Sequence, residues 1–96
     1  MDLKVLELVQ DCNTAAEGAV VYEAVRAYIA KGQHITLSFS GADSVPSSFV
    51  NASIVRLVEE LGFDQVRKSL AMVNCTPQVT DMLRRCIRNA ATSMAA

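Results

Sequence analysis

The sequence predicts an α/β fold, with a small, mostly parallel sheet of three to four strands and helices mainly on one face. Short apolar segments alternate with longer amphipathic ones in the order β-α-β-α-(α)-β-α, which is typical of parallel strands joined by helices. Residues 34–40 alternate strictly between polar and apolar side chains, which indicates a strand with one polar face. A length of 96 residues predicts one domain, residues 1–96.

The first strand and the first helix are predicted from the residues before position 32. Residues 3–9 form an apolar run that we interpret as a strand, although periodicity alone also permits a helix. Thr14 and Glu17 have the spacing of a capping box, which predicts a helix over 15–31 that ends at Gly32. The apolar face of this helix should carry Val21, Ala24, Val25 and Tyr28.

The clearest strand covers residues 34–40, and its two faces differ. Its core face should carry Ile35, Leu37 and Phe39. Its polar face should carry Thr36, Ser38 and Ser40. Because a fully covered parallel strand is usually apolar on both sides, we expect one face of the sheet to be lightly covered.

A turn over 41–46 leads into the second helix. Pro46 permits a helix to begin just after it, and Ser47 or Ser48 is a preferred residue type for the N-cap. This helix should end at Leu61, before Gly62.

The last third of the chain predicts three further elements. A short helical turn over 63–69 precedes a third strand over 70–75. Pro77 then suits the first position of the last helix, where its missing N–H costs nothing. We expect residues 92–96 to be an irregular tail.

Composition excludes several classes of function. The net charge of −1 and the pI near 5.7 give no positive field for a nucleic-acid backbone. No apolar run approaches a membrane span, and the N-terminus lacks a signal layout, so we expect a cytoplasmic protein. Three cysteines without a C-x-x-C pair, and one histidine, predict no disulfide framework, no metal site and no cofactor.

The strongest candidate site is the edge formed by residues 43–51, which we call the 43–51 edge. It follows the second strand, and ligand sites in open α/β sheets gather at the carboxyl ends of strands. It ends in a helix N-terminus, whose free N–H groups suit a phosphate. Its polar residues are Asp43, Ser44, Ser47, Ser48 and Asn51.

Three alternatives remain open at this stage. Cys75 precedes a helix start, a position that can activate a thiol for a small enzyme or redox protein. His34, the only histidine, should lie at the opposite edge of the sheet, which disfavours a Cys-His pair. The exposed face of the last helix offers a secondary surface for an acidic partner or an anion, made of Arg84, Arg85 and Arg88. The third alternative is a homo-oligomeric subunit that associates through its polar sheet face.

Residues 34–74 resemble the STAS-like family of small bacterial regulatory domains. The resemblance lies in four segments: Ile35-Thr36-Leu37-Ser38-Phe39-Ser40-Gly41-Ala42, Val45-Pro46-Ser47-Ser48-Phe49, Leu57-Val58-Glu59-Glu60-Leu61-Gly62 and Met72-Val73-Asn74. In that family a strand leads through a loop to a serine at a helix start, then a long helix and a strand that ends in asparagine.

The resemblance implies a non-enzymatic signalling module with a protein partner, for which a histidine-kinase-like ATPase is the candidate. In anti-sigma factor antagonists of this kind, a serine in an Asp-Ser-Ser-Gly-like turn is phosphorylated. Ser47 and Ser48 match that turn by position, with Pro46 in place of the aspartate and Phe49 in place of the small residue. The resemblance therefore implies a phosphorylation switch at one of these serines.

Overall fold

The computed structural model describes the backbone of residues 2–95 and the side chains of residues 2–90. In chain order its elements are β1 (Asp2–Lys4), α1 (Val5–Leu8), α2 (Ala15–Ala30), β2 (Ile35–Ser38), α3 (Ser47–Val50), a π-helical turn (Asn51–Val55), α4 (Arg56–Leu61), α5 (Phe63–Ser69), β3 (Leu70–Val73) and α6 (Pro77–Ala95). The segments α3, π-helical turn and α4 follow one another directly, and we call residues 47–61 the central helix. None of the described helices is long and apolar enough to cross a membrane.

The described residues form a three-stranded parallel sheet in the order β1-β2-β3. Leu3 pairs with Leu37, and Leu37 pairs in turn with Met72 on the other side. The predicted fold class, a small parallel sheet combined with helices, is confirmed.

The first element is shorter than predicted. Instead of a strand over 3–9, the chain forms a three-residue strand and then the single helical turn α1. The turn buries Val5 completely, and the N–H of Val9 donates to the Val5 carbonyl oxygen at 3.1 Å. Both structures allowed by the apolar run are therefore present, one after the other.

The capping box at the start of α2 is confirmed. The Thr14 hydroxyl accepts the Glu17 N–H at 3.1 Å, and the Glu17 carboxylate accepts the Thr14 N–H at 3.2 Å. The helix ends at Ala30, and Gly32 follows it with φ of 77°, in the left-handed region that glycine adopts readily. The buried face of α2 differs in part from the predicted one and consists of Gly18, Val21, Tyr22, Val25 and Ile29.

The central helix packs closely against α2 at one glycine. A Cβ built on Gly18 would lie 2.5 Å from the Phe49 carbonyl oxygen and 3.0 Å from the Ala52 Cβ. The same carbonyl oxygen accepts the buried Ser53 hydroxyl at 2.8 Å. Gly18 therefore allows the first turns of the two helices to approach within backbone contact distance.

The last strand and the last helix differ from the prediction at their ends. β3 stops at Val73 rather than at residue 75, because Asn74 turns the chain with φ of 55°. Asparagine is among the residues that tolerate this left-handed conformation. The helix α6 begins at Pro77, as predicted, and continues to Ala95. The expectation of a tail is thus wrong for residues 92–95, and residue 96 lies outside the described residues.

β2 covers Ile35–Ser38 rather than the predicted 34–40, and its two faces are as predicted except at Ser38, which is buried although it was expected on the polar face. Ile35, Leu37 and Phe39 are buried in the core, whereas Thr36 on the opposite face is partly exposed. On that opposite face, Ser38 pairs with Lys4 on one side and with Val73 on the other. Both of these neighbours are exposed, so this side of the sheet is lightly covered. The face that carries Ile35 and Leu37 contributes to a core shared with α2, the central helix and α6.

Candidate functional site

The 43–51 edge presents its predicted polar residues to solvent. Beyond the carboxyl end of β2, a loop over residues 39–46 leads into the central helix. All five polar side chains are exposed: Asp43, Ser44, Ser47, Ser48 and Asn51. Between them, Val45 and Phe49 are buried and attach the edge to the core.

The start of α6 holds this loop in place. The Gln78 side chain amide donates to the Val45 carbonyl oxygen at 3.1 Å and accepts the Val45 N–H at 2.9 Å. The Thr76 hydroxyl donates to the Asp43 carbonyl oxygen at 2.7 Å, and it also accepts the Val79 N–H at 3.2 Å. The loop is therefore a fixed surface, held through its backbone while its polar side chains remain exposed.

A second polar contact joins the carboxyl ends of β2 and β3. The Asn74 side chain amide donates to the Ser38 hydroxyl oxygen at 2.9 Å, and the Ser40 N–H donates to the same oxygen at 3.2 Å. The Phe39 N–H also donates to the Val73 carbonyl oxygen at 3.0 Å. In the sequence, only the resemblance indicated Asn74. Ser38 lies 36 positions away, and no local sequence pattern links the two residues.

The serines at the start of the central helix do not cap it, which corrects the prediction that Ser47 or Ser48 is the N-cap. The N-cap is Pro46, and no side chain described here forms a capping hydrogen bond at this helix. Ser47 and Ser48 are consequently the first and second helical residues, with exposed side chains. The first N–H groups of a helix lack intrahelical acceptors and form the positive end of its dipole.

A small cavity of about 210 Å³ opens beside the same loop. Asp43 and Ser44 line it on one side, and Asp11 and Asn13 line it on the other. The buried Cys12 also lines it; burial, together with the nearby Glu17 and Asp11 charges, raises the pKa of this thiol to about 11. Cys12 is thus a neutral thiol at physiological pH.

The position of Cys75 does not favour thiol chemistry. Burial raises the pKa of Cys75, although a hydrogen bond with Thr80 acts in the opposite direction. His34 precedes β2, whereas Cys75 follows β3, so the parallel strands place them at opposite edges of the sheet. No group of three or more residues among His, Cys, Asp and Glu within the described part of the chain is placed to hold a metal ion.

The three arginines of the secondary surface are exposed but do not act as one group. Arg85 forms an ion pair with Asp81 one helical turn away, at 3.1 Å. Arg84 and Arg88 instead line a groove between α6, α5 and β3, together with Arg67. Sequence reasoning missed Arg67, because only the tertiary structure brings α5 next to α6.

Comparison with known proteins gave one family. The family model described as a STAS-like domain of unknown function (DUF4325) matches residues 17–80, from the first turn of α2 to the first turn of α6. Comparisons with curated proteins and with solved structures gave no match.

Proposed function

Since the chain belongs to the family of STAS-like domains of unknown function, we propose that it is a non-enzymatic regulatory module that binds a protein partner through the 43–51 edge. The observation that carries this proposal is the serine pair at the start of the central helix. Ser47 and Ser48 are exposed and are not used as caps. Their hydroxyl groups are therefore accessible to a partner or to a kinase.

A phosphate on either serine suits the helix and alters the surface. The helix dipole favours negative charge in the first turn, so phosphorylation should leave the fold intact. A partner that covers the unmodified edge would then have to bury about two negative charges, which is costly without a cation to pair with them. The proposed kinase is a histidine-kinase-like ATPase, as the resemblance of this turn to the phosphorylated turn of anti-sigma factor antagonists implies.

A cytoplasmic location belongs to the same proposal. Cys12, Cys75 and Cys86 all lie within the described residues and are free thiols. Free cysteines in a small domain fit a reducing compartment better than a secreted protein.

The test compares the same charge at the same helical positions on two different surfaces. Proteins that copurify with the chain from its native cell are identified, and direct binding is measured by calorimetry. We expect Ser47→Asp and Ser48→Asp to weaken binding by roughly 1–3 kcal/mol, the usual scale of a switching interaction. Ala15→Asp and Ala16→Asp are the matched controls, since they occupy the first two positions of α2, are exposed, and should bind like wild type.

Thermal unfolding and phosphorylation complete the test. The melting temperature should be nearly unchanged in both serine variants, which separates lost binding from lost folding. Incubation with the partner and ATP should yield phosphate on Ser47 or Ser48 by mass spectrometry if the partner is an ATPase. If both serine variants bind like wild type while Arg84→Glu abolishes binding, the partner surface is α6 and the proposal is wrong.

A further inference from the structure

A groove of about 760 Å³ lies away from the 43–51 edge, between α5, β3 and α6. Its walls are apolar and come mainly from Val58, Val66, Leu70, Met72, Leu83 and Ile87. Its volume falls within the range of about 300–1,000 Å³ that small-molecule sites occupy. The groove is therefore large enough for a ligand and has the apolar lining that such sites have.

The rim of the groove carries charge of only one sign. Arg67, Arg84 and Arg88 line it, and none of its lining residues in the described part of the chain is Asp or Glu. Among the described residues, these three guanidinium groups form no ion pair. This local excess of three positive charges occurs in a chain whose net charge is −1, so the groove is complementary to an anion.

Geometry supports a shared anion site. Arg84 and Arg88 are four residues apart on α6 and therefore project from the same face of that helix. Arg67 approaches from the last turn of α5, where its guanidinium carbon lies 6.0 Å from the centre of the exposed Phe63 ring. Arginine suits such a site because its planar fork matches a carboxylate through paired hydrogen bonds.

Apolar surface remains exposed at the mouth of the groove. Phe63 and Val73 are 41% and 38% exposed, although both are large apolar residues that line the groove. Deeper in the groove, Leu70 and Leu83 are each 5% exposed. The site thus combines an apolar floor, a partly uncovered apolar mouth and a cationic rim.

We propose that this groove, which we call the arginine groove, binds a small amphiphilic carboxylate. The apolar part of this ligand lies against Leu70, Met72 and Leu83. Its carboxylate is bound by Arg84 and Arg88, with Arg67 on the facing wall of the groove. Burial of apolar ligand surface provides binding free energy, and the arginines select the charge of the head group. This site is separate from Ser47 and Ser48, so it stands or falls independently of the proposed phosphorylation switch.

The test uses decanoate as the probe, added to the full chain below the concentration at which it forms micelles. We expect saturable binding by calorimetry and chemical-shift changes of the Met72, Leu83 and Ile87 methyl groups by NMR. The double variant Arg84→Gln/Arg88→Gln should bind about tenfold more weakly, as expected when charge-assisted hydrogen bonds are lost. Arg85→Gln is the matched control, because Arg85 lies on the same helix but pairs with Asp81.

A second probe separates the proposal from unspecific association. Decyltrimethylammonium has an alkyl chain of the same length and a cationic head, and we expect it to bind much more weakly than decanoate. Equal binding of the two probes, or equal losses in the double variant and in Arg85→Gln, would overturn the proposal. The proposal is also overturned if the chemical shifts of the groove methyl groups change with protein concentration rather than with decanoate, because a second copy of the chain would then cover the groove.

Discussion

The start of α2 and the start of the central helix both carry hydroxyl side chains and use them differently. At α2, the Thr14 hydroxyl accepts the Glu17 N–H, and the Glu17 carboxylate accepts the N–H groups of Asn13 and Thr14. At the central helix, Ser47 and Ser48 lie one and two residues inside the helix, and no described side chain caps it. A hydroxyl residue at a helix start is thus not sufficient evidence for a cap.

Tertiary contacts hold the start of the central helix, although no described side chain caps it. The Gln78 amide binds both backbone polar groups of Val45, and Phe49 and Val50 are buried. The start of α2 packs against the central helix at Gly18, but its residues from Asn13 to Ala16 are exposed. A capping box therefore satisfies N–H groups at the start of α2, whereas the hydroxyls of Ser47 and Ser48 form no capping hydrogen bond at the start of the central helix.

The largest expected effect concerns the core to which both helices are attached. We predict that Leu37→Ala destabilises the fold by roughly 2–5 kcal/mol, because the side chain is fully buried on the covered face of β2. Thr36→Ala, on the other face of the same strand, should cost about 1 kcal/mol or less. Denaturant unfolding of both variants provides the measurement. Equal costs would contradict the assignment of the faces.

The next largest effect lies where the two helix starts meet. Gly18→Ala should destabilise by about 1–3 kcal/mol, because overpacking here pushes against the Phe49 backbone rather than a movable side chain. Ala27→Gly at an exposed position of α2 is the control, with an expected cost of about 1 kcal/mol from helix propensity alone. A stabilising Gly18→Ala variant would show that the two helices can separate freely.

The sequence predicted those elements whose signals are local. The Thr14–Glu17 spacing, the alternation in residues 34–40 and the proline at position 77 each identify a structure from a few neighbouring residues. The apolar run at 3–9 was ambiguous because its period fits both a strand and a helical turn, and the chain forms both.

Features that depend on distant residues were not predictable in this way. The loop before the uncapped serines is held by hydrogen bonds between Gln78 and Val45, which lie 33 positions apart. The arginine groove likewise needs side chains from α5 and α6 together. The candidate edge at 43–51 could be proposed because it is continuous in sequence, whereas the groove required the fold.

A smaller effect on stability is expected at the two helix starts, where it should differ between Thr14 and Ser47. Thr14→Ala should cost about 0.5–2 kcal/mol through loss of the cap, whereas Ser47→Ala should change stability by less than about 0.5 kcal/mol. Glu17→Ala combined with Thr14→Ala should be non-additive, because the two side chains form one box. Denaturant midpoints of the single variants and the double variant test this. A Ser47→Ala cost equal to that of Thr14→Ala would mean that Ser47 does act as a cap.

The smallest effect is a pH dependence that the capping box gives to the start of α2. Burial raises the pKa of Glu17, but hydrogen bonds from the N–H groups of Asn13, Asp11 and Thr14 and from the Thr14 hydroxyl outweigh it and hold this pKa below its usual value. The charged carboxylate therefore stabilises the fold above its unfolded-state pKa, and this contribution is lost as pH falls through the lower folded-state pKa.

Glu17→Gln isolates this contribution, since it removes the titrating group from the box and leaves the other carboxylates in place. Its destabilisation relative to wild type should be greatest near neutral pH and should shrink on acidification through the acidic range where Glu17 takes up its proton. Glu60, whose pKa is lowered by hydrogen bonds from Tyr22 and Arg26, titrates in both proteins and cancels in the comparison. Urea unfolding of the two proteins between neutral and acidic pH gives the difference. A difference that does not change with pH would mean that the charge of Glu17 contributes nothing to the cap, and that the hydrogen-bonding geometry of the side chain alone distinguishes the start of α2 from that of the central helix.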